Sequence, residues 1–175
     1  ARVVNETYRG YGAACLKGVS EVSDPEIVVF VDGDFSDFPE EIESLVKPIV
    51  ENRADFVLGS RMIFSESRAA LLPQARYGNL LAVFLIRLFF RYKFTDLGPF
   101  RAIRYQSLKE ISMTDKNFGW TVEMQIKAVK HGLKIMEIPV HYRKRIGVSK
   151  ITGTISGTFK AGIKIIFTIF KFLLT

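Results

Sequence analysis

A chain of 175 residues suits one domain, and a hydrophobic content of 48% with 15 Phe excludes a disordered segment. One cysteine, Cys15, excludes a disulfide framework and fits a reducing compartment. The formal charge of +7 and pI near 9.6 predict attraction to phosphate on a nucleotide, a nucleic acid or an anionic membrane; nucleic acid ranks last, because basic and aromatic residues are not interleaved as that role requires.

The chain opens on Ala1 and the short apolar piece Val3-Val4, no signal peptide is visible, and further residues are expected ahead of it. Residues 2–5 read as a brief strand. In Arg9-Gly10-Tyr11-Gly12-Ala13-Ala14, two glycines and small side chains permit a tight turn and close approach of a nucleotide to a helix amino terminus. Plain turn and packing chemistry explains the same residues. The helix runs to about residue 21, with Cys15 a small apolar residue within it.

The most informative stretch is Ile27-Val28-Val29-Phe30-Val31-Asp32-Gly33-Asp34-Phe35-Ser36-Asp37. Its apolar run reads as a strand buried on both faces of a parallel sheet, and ligands of open α/β sheets bind beyond the carboxyl ends of the strands. Asp32 and Asp34, one small residue apart, suit a hard divalent cation that keeps its remaining positions for water and phosphate oxygens, although Asp and Gly also make ordinary strand-ending turns. Asp37 is placed to cap the helix of residues 40–52, which Pro39 opens.

Residues 54–62 form a second buried strand, and Arg61 falls at the sheet edge of the two aspartates, where a guanidinium suits a diphosphate as well as solvent. Residues 63–76 lack periodicity and read as a loop or lid over the site. Residues 77–94 are too apolar for an ordinary surface helix and too interrupted by Arg87 for a transmembrane span, so they are either buried or lie at a bilayer interface. A polar turn with Asp96 and Arg101 follows, then a helix near 106–111, the loop Asn117-Phe118-Gly119-Trp120 and a helix over 121–131. Glu123 in the first turn of that helix either complements the helix dipole or faces the site beside Trp120. Residues 133–142 read as a strand. After them Arg143, Lys144, Arg145, Ser149 and Lys150 form either a solvated basic loop or a clamp for phosphates. A flexible Gly/Ser/Thr connection (152–158) leads to a lysine-edged amphipathic helix that is interfacial or core-packed.

These motifs resemble the family-2 glycosyltransferases of the GT-A fold, particularly the polyprenyl-phosphate branch typified by dolichol-phosphate mannose synthase. The likeness rests on Asn5 with Arg9-Gly10-Tyr11-Gly12-Ala13-Ala14, Asp32-Gly33-Asp34, Gly59-Ser60-Arg61, Asp96 with Phe100-Arg101-Ala102, Phe118-Gly119-Trp120 with Glu123-Met124, and Pro139-Val140 with Arg145 and Ser149-Lys150-Ile151. It implies a Rossmann-like α/β fold with a mostly parallel sheet and flanking helices, lacking its amino-terminal strands. Residues 1–151 would be a partial catalytic domain, and 152–175 a linker and membrane-proximal amphipathic helix.

The implied reaction is inverting transfer from a UDP- or GDP-sugar to a polyprenyl (dolichyl or undecaprenyl) phosphate, by a peripheral enzyme at the cytoplasmic face of a membrane. A soluble or protein hydroxyl acceptor, and a non-catalytic nucleotide- or membrane-binding fragment, are the alternatives. Mg²⁺ or Mn²⁺ would sit on Asp32 and Asp34. Gly10, Gly12 and Gly33 would contact the donor. Arg61, Asp96, Arg101, Trp120, Arg143, Arg145, Ser149 and Lys150 would serve acceptor or phosphate, and Asp34, Arg61, Arg101 and Glu123 would carry catalysis, Glu123 orienting the acceptor or acting as base. A sheet without its first strands leaves an edge open. The isolated 175-residue chain is therefore expected to be poorly stable or inactive, and nucleotide-sugar binding detected by calorimetry would contradict that.

Overall fold

The computed structural model describes residues 2–146 and 155–174. In chain order these form α1 (Tyr11–Ser20), β1 (Ile27–Phe30), a 3-10 turn (Pro39–Glu41), α2 (Ile42–Val50), β2 (Phe56–Ser60), α3 (Ser65–Ala70), α4 (Pro73–Phe90), β3 (Arg101–Arg104), α5 (Tyr105–Ile111), α6 (Trp120–Lys130), β4 (Ile135–Pro139) and α7 (Ile155–Leu174).

The four strands make one sheet in the order β1-β3-β2-β4. β1 and β2 each pair antiparallel with β3, and β2 pairs parallel with β4, so β1, β2 and β4 point the same way and bring their carboxyl ends to one edge. The mostly parallel direction matches expectation. The antiparallel strand between β1 and β2 does not, because Arg101-Ala102-Ile103-Arg104 is too short and too polar at its ends to show a strand period.

Alternation along the strands sorts the core into two layers. Phe56, Leu58, Phe30 and Ile103 face one side, with Ile86, Trp120, Met124 and Ile169. Val57 and Ala102 face the other, with Leu45 and Ile49 of α2. β2 is wholly buried, whereas β1 is mostly half-buried, its outer edge opening onto an apolar groove of about 360 Å³. Buried Ile169 joins α7 to the main core, and Lys164 of that helix pairs with Asp115 at 2.8 Å.

Three further expectations change. Residues 2–5 are not a strand. The supposed lid holds α3 and the start of α4, pinned where Ser67 Oγ donates to the Val140 carbonyl and accepts from the Tyr142 amide. Asp37 does not cap a helix; its carboxylate accepts from the Asp32 amide, and Phe38 precedes the 3-10 turn.

Gly10 and Gly12 serve packing. A Cβ on either would fall inside van der Waals contact of a backbone carbonyl, Lys116 for Gly10 and Asp115 for Gly12. The amides of Gly12 and Ala13 donate to the carbonyls of Asn117 and Lys116, so these donors at the amino end of α1 are already spent. We expect Gly12→Ala to be destabilising: overpacking costs about 1–3 kcal/mol, against a helix-propensity gain of about 1 kcal/mol at most. A lower urea midpoint is the expected result, and a raised one would sink this account of α1.

Candidate active site at the carboxyl edge of the sheet

The acidic turn leaves β1 and folds on itself. Asp34 Oδ1 accepts from the Ser36 amide at 3.0 Å, and Phe35 takes a left-handed backbone (φ 65°), an uncommon conformation for a bulky residue. The cationic segment after β4 lies along this turn. The Arg143 amide donates to the Ser36 carbonyl at 3.0 Å, the Ile146 amide to the Asp34 carbonyl at 3.1 Å, and Asp37 bridges to Tyr142. The Arg143 guanidinium stacks 3.5 Å from the Phe35 ring centroid and 4.3 Å from that of Phe38. Arg145 pairs with Asp34 Oδ2 at 2.6 Å.

The electrostatics follow from this crowding. Burial, then the neighbouring Asp34, pushes the Asp32 carboxyl up, while Arg61 and Arg145 oppose the rise. Burial pushes the Asp37 carboxyl up to about 6, and its Oδ1 has no hydrogen-bond partner among the described residues. Among the described residues no three His, Cys, Asp or Glu side chains converge as a metal site. The hard oxygens of Asp32 and Asp34 therefore fit a divalent cation only as a partial ligand set, completed by phosphate oxygens and water. An open cleft of about 390 Å³ lined by Tyr11, Cys15, Phe30, Asp32 and Gly33 adjoins Asp32, while Asp34 is turned to Ser36 and Arg145. No atom lies within 4 Å of a Cβ built on Gly33, so this glycine leaves room for a ligand.

Arg61 behaves differently from Arg145. It grips buried Asp96 with two parallel bonds, Nε to Oδ2 at 2.8 Å and Nη2 to Oδ1 at 2.9 Å, and its amide adds a third at 2.9 Å. Burial opposes the charge on Arg61, but Asp96 outweighs it and the guanidinium pKa is raised. Asp96, assigned from sequence to acceptor or phosphate, is thus an acid that anchors an arginine.

Three predicted site residues are turned into the fold. Arg101 is fully buried, donates to the carbonyls of Leu97, Gly98 and Thr121, and has its pKa lowered to about 10 by burial. Trp120 packs edge-on against Phe30, centroids 5.9 Å apart. Glu123, the candidate base, is fully buried and accepts from the Thr114 hydroxyl at 2.7 Å and the Asp115 amide at 2.6 Å, with Lys127 at 2.7 Å. Ser149 and Lys150 lie outside the described residues.

Sequence reading missed the residues that hold Asp96. Asn79 donates to the Thr95 carbonyl and accepts from the Leu97 amide, Gln125 donates to the Asp96 carbonyl, and Glu137 accepts from the amides of Thr95 and Asp96. The available signal was an acid between Met136 and Ile138 inside an apolar strand. Tyr11, named in the sequence only as part of a turn, lines the cleft beside Asp32.

The family model described as glycosyl transferase family 2 matches residues 1–112. An uncharacterised glycosyltransferase of Mycobacterium tuberculosis is 30% identical over 92% of this chain and 72% of its own length. A dolichyl-phosphate hexose transferase of Haloferax volcanii is 31% identical over 86% of this chain and 64% of its own. Among solved structures, glucosyl-3-phosphoglycerate synthase from Mycobacterium tuberculosis, in complex with Mn²⁺, UDP-glucose and phosphoglyceric acid, aligns with a TM-score of 0.70 at 17% identity, covering 97% of this chain. The present chain spans 56% of that structure's length. The acid-tipped strand, its place at the common carboxyl edge and the extent of these matches agree, and the chain belongs to glycosyl transferase family 2.

Proposed function

We propose that the protein transfers a sugar, with inversion, from a nucleotide-diphosphate sugar to a polyprenyl phosphate at a membrane surface. The observation that carries this reading is the pairing of the acidic turn 32–37 with the cationic segment 141–146 on one sheet edge. A diphosphate brought to such a place meets both a cation-binding pair of acids and arginines. Support for a lipid phosphate comes from the dolichyl-phosphate hexose transferase relative. A soluble acceptor is the second reading, favoured by the likeness to a synthase crystallised with phosphoglyceric acid.

The roles of the two arginines separate on energetic grounds. The side chains of Arg145 and Asp34 are 34% and 21% exposed, and such a pair contributes about 0–1 kcal/mol. Those of Arg61 and Asp96 are 14% and 0% exposed with bidentate geometry, and breaking a buried pair costs about 3–5 kcal/mol. Arg145 is therefore the arginine that can leave its acid and turn to a phosphate, while Arg61 stays in place. A divalent cation bound at Asp32 and Asp34 would supply neutralisation of the charge developing on the departing nucleoside diphosphate. Glu123 is committed to Thr114 and Asp115, which favours an acceptor that arrives already ionised and needs no base.

Incubating the purified full-length protein with radiolabelled nucleotide sugars and membranes tests the acceptor. Label is expected in butanol-extractable lipid, and Asp34→Ala should reduce it at least a hundredfold; label confined to the aqueous phase would select the soluble acceptor. Mn²⁺ titration followed by electron paramagnetic resonance tests the exchange of partners. Arg145→Gln should tighten Mn²⁺ about twofold to fivefold by removing a weak competitor, and an unchanged affinity would refute that competition.

A further inference from the structure

α4 and α7 lie side by side, Phe89 against Phe170 with centroids 5.3 Å apart, and both run away from the acid-bearing edge. That direction follows from their contacts. On α4, Asn79 bonds the Thr95–Leu97 loop, and beyond the helix Tyr92 reaches the Ile135 carbonyl at the start of β4. On α7, Lys164 meets Asp115 and Lys130 of α6 reaches the Phe172 carbonyl.

Each helix turns an apolar face to solvent. On α4 it comprises Tyr77, Leu80, Leu81, Phe84 and Leu88, spaced to fall on one side of a helix. On α7 it comprises Ile163, Phe167, Phe170 and Leu174, again on one side. Phe84 is 60% and Phe167 is 59% exposed, so large aromatic rings stand in water. By the helical period, Arg76 and Arg87 fall on the edge of α4 away from α7, and Lys160 and Lys171 on the edge of α7 away from α4, beside Lys164, whose charge Asp115 already meets. Neither helix contains an aspartate or glutamate.

We propose that this two-helix face docks on the surface of an anionic phospholipid bilayer, both helices lying in the headgroup plane. A contiguous exposed apolar patch marks a binding surface, and cations on both outer edges select anionic headgroups as what covers it. A second copy fits less well, since a twofold contact would set basic edge against basic edge. Among the described residues no helix is long and apolar enough to cross a membrane, which makes this an interfacial arrangement. The inference deepens the lipid-acceptor reading by naming the surface that holds the enzyme to its lipid. It is tested without nucleotide sugar, so failure of docking and failure of transfer are distinguishable.

The experiment is co-sedimentation of the protein with phosphatidylcholine vesicles, with and without phosphatidylglycerol. Binding should be at least tenfold stronger to the anionic vesicles and should weaken with salt. Arg76→Gln with Arg87→Gln should reduce it about tenfold, and Phe84→Asp with Phe167→Asp should reduce it below detection while the circular-dichroism melt is retained. Should that pair of aspartates unfold the protein, an environment-sensitive fluorophore on Phe84→Cys, in a Cys15→Ala background, should shift to the blue on anionic vesicles. Absence of anionic binding, equal binding to both vesicle types, or an unshifted fluorophore would overturn the proposal. So would a lipid-free dimer in analytical ultracentrifugation that the aspartate pair dissolves, because the face would then serve self-association.

Discussion

The arrangement at the sheet edge depends on one buried ion pair, Arg61 with Asp96. Taking two charges out of water costs several kcal/mol per ion, and only good geometry with further hydrogen bonds offsets it. Both conditions are met. The guanidinium fork matches the carboxylate, and the acid also accepts from the amides of Arg61 and Leu97. The Thr95–Leu97 backbone is held by Asn79 from α4, Gln125 from α6 and Glu137 from β4. Space is part of the constraint: a Cβ on Gly98 would come 2.8 Å from the Gly59 carbonyl oxygen and 3.1 Å from Asp96 Oδ2. Arg61 at the end of β2 grips the carboxylate, and α4, α6 and β4 hold the backbone of its loop, so four elements together give the site a rigid floor.

Above that floor the charges are balanced loosely. Asp32, Asp34 and Asp37 crowd together, and burial, with their mutual repulsion added, pushes the carboxyls of Asp32 and Asp37 up. Arg145 and the backbone of the segment after β4 relieve part of this through contacts with Asp34 and Ser36. On the proposed reading, taking up a donor exchanges one set of ionic partners for another, so the acids never face the site as uncompensated charges. Such an exchange is cheap only because the outgoing pair is half in water. Arg61 could not take part without dismantling the floor.

Much of the fold was legible because apolar periodicity and length separate strands from helices. The run Ile27–Phe30 with its acidic tip, the strand ending at Ser60, and α6 all stood out, and so did the shared edge of Asp32, Asp34 and Arg61, whereas the pairing of Arg145 with Asp34 did not. What stayed hidden depends on contacts distant in sequence. Arg101-Ala102-Ile103-Arg104 is a strand because β1 and β2 flank it. Gly10 and Gly12 look like a ligand-binding turn in one dimension and prove to be the contact surface for residues 115–117. Arg101, in a polar turn, and Glu123, in the first turn of a helix beside Trp120, look like site residues and belong to the motifs that carry the family resemblance. Each instead satisfies backbone carbonyls or amides that the surrounding loops would leave unpaired.

The same limit explains why periodicity alone could not assign α4. A helix that buries one stripe normally puts its larger apolar residues inside. α4 reverses this, burying Asn79, Ala82, Val83 and Ile86 while Tyr77, Leu81, Phe84 and Leu88 remain in solvent. The small inner residues let the helix sit close to the Asp96 loop, so that Asn79 reaches both Thr95 and Leu97. Full burial of a side chain the size of Leu or Phe gains about 1.5–3 kcal/mol, which the folded chain by itself leaves unrealised at each outward position. The requirement that places the site, close approach of α4 to Asp96, is thus also what displaces the bulky residues outward.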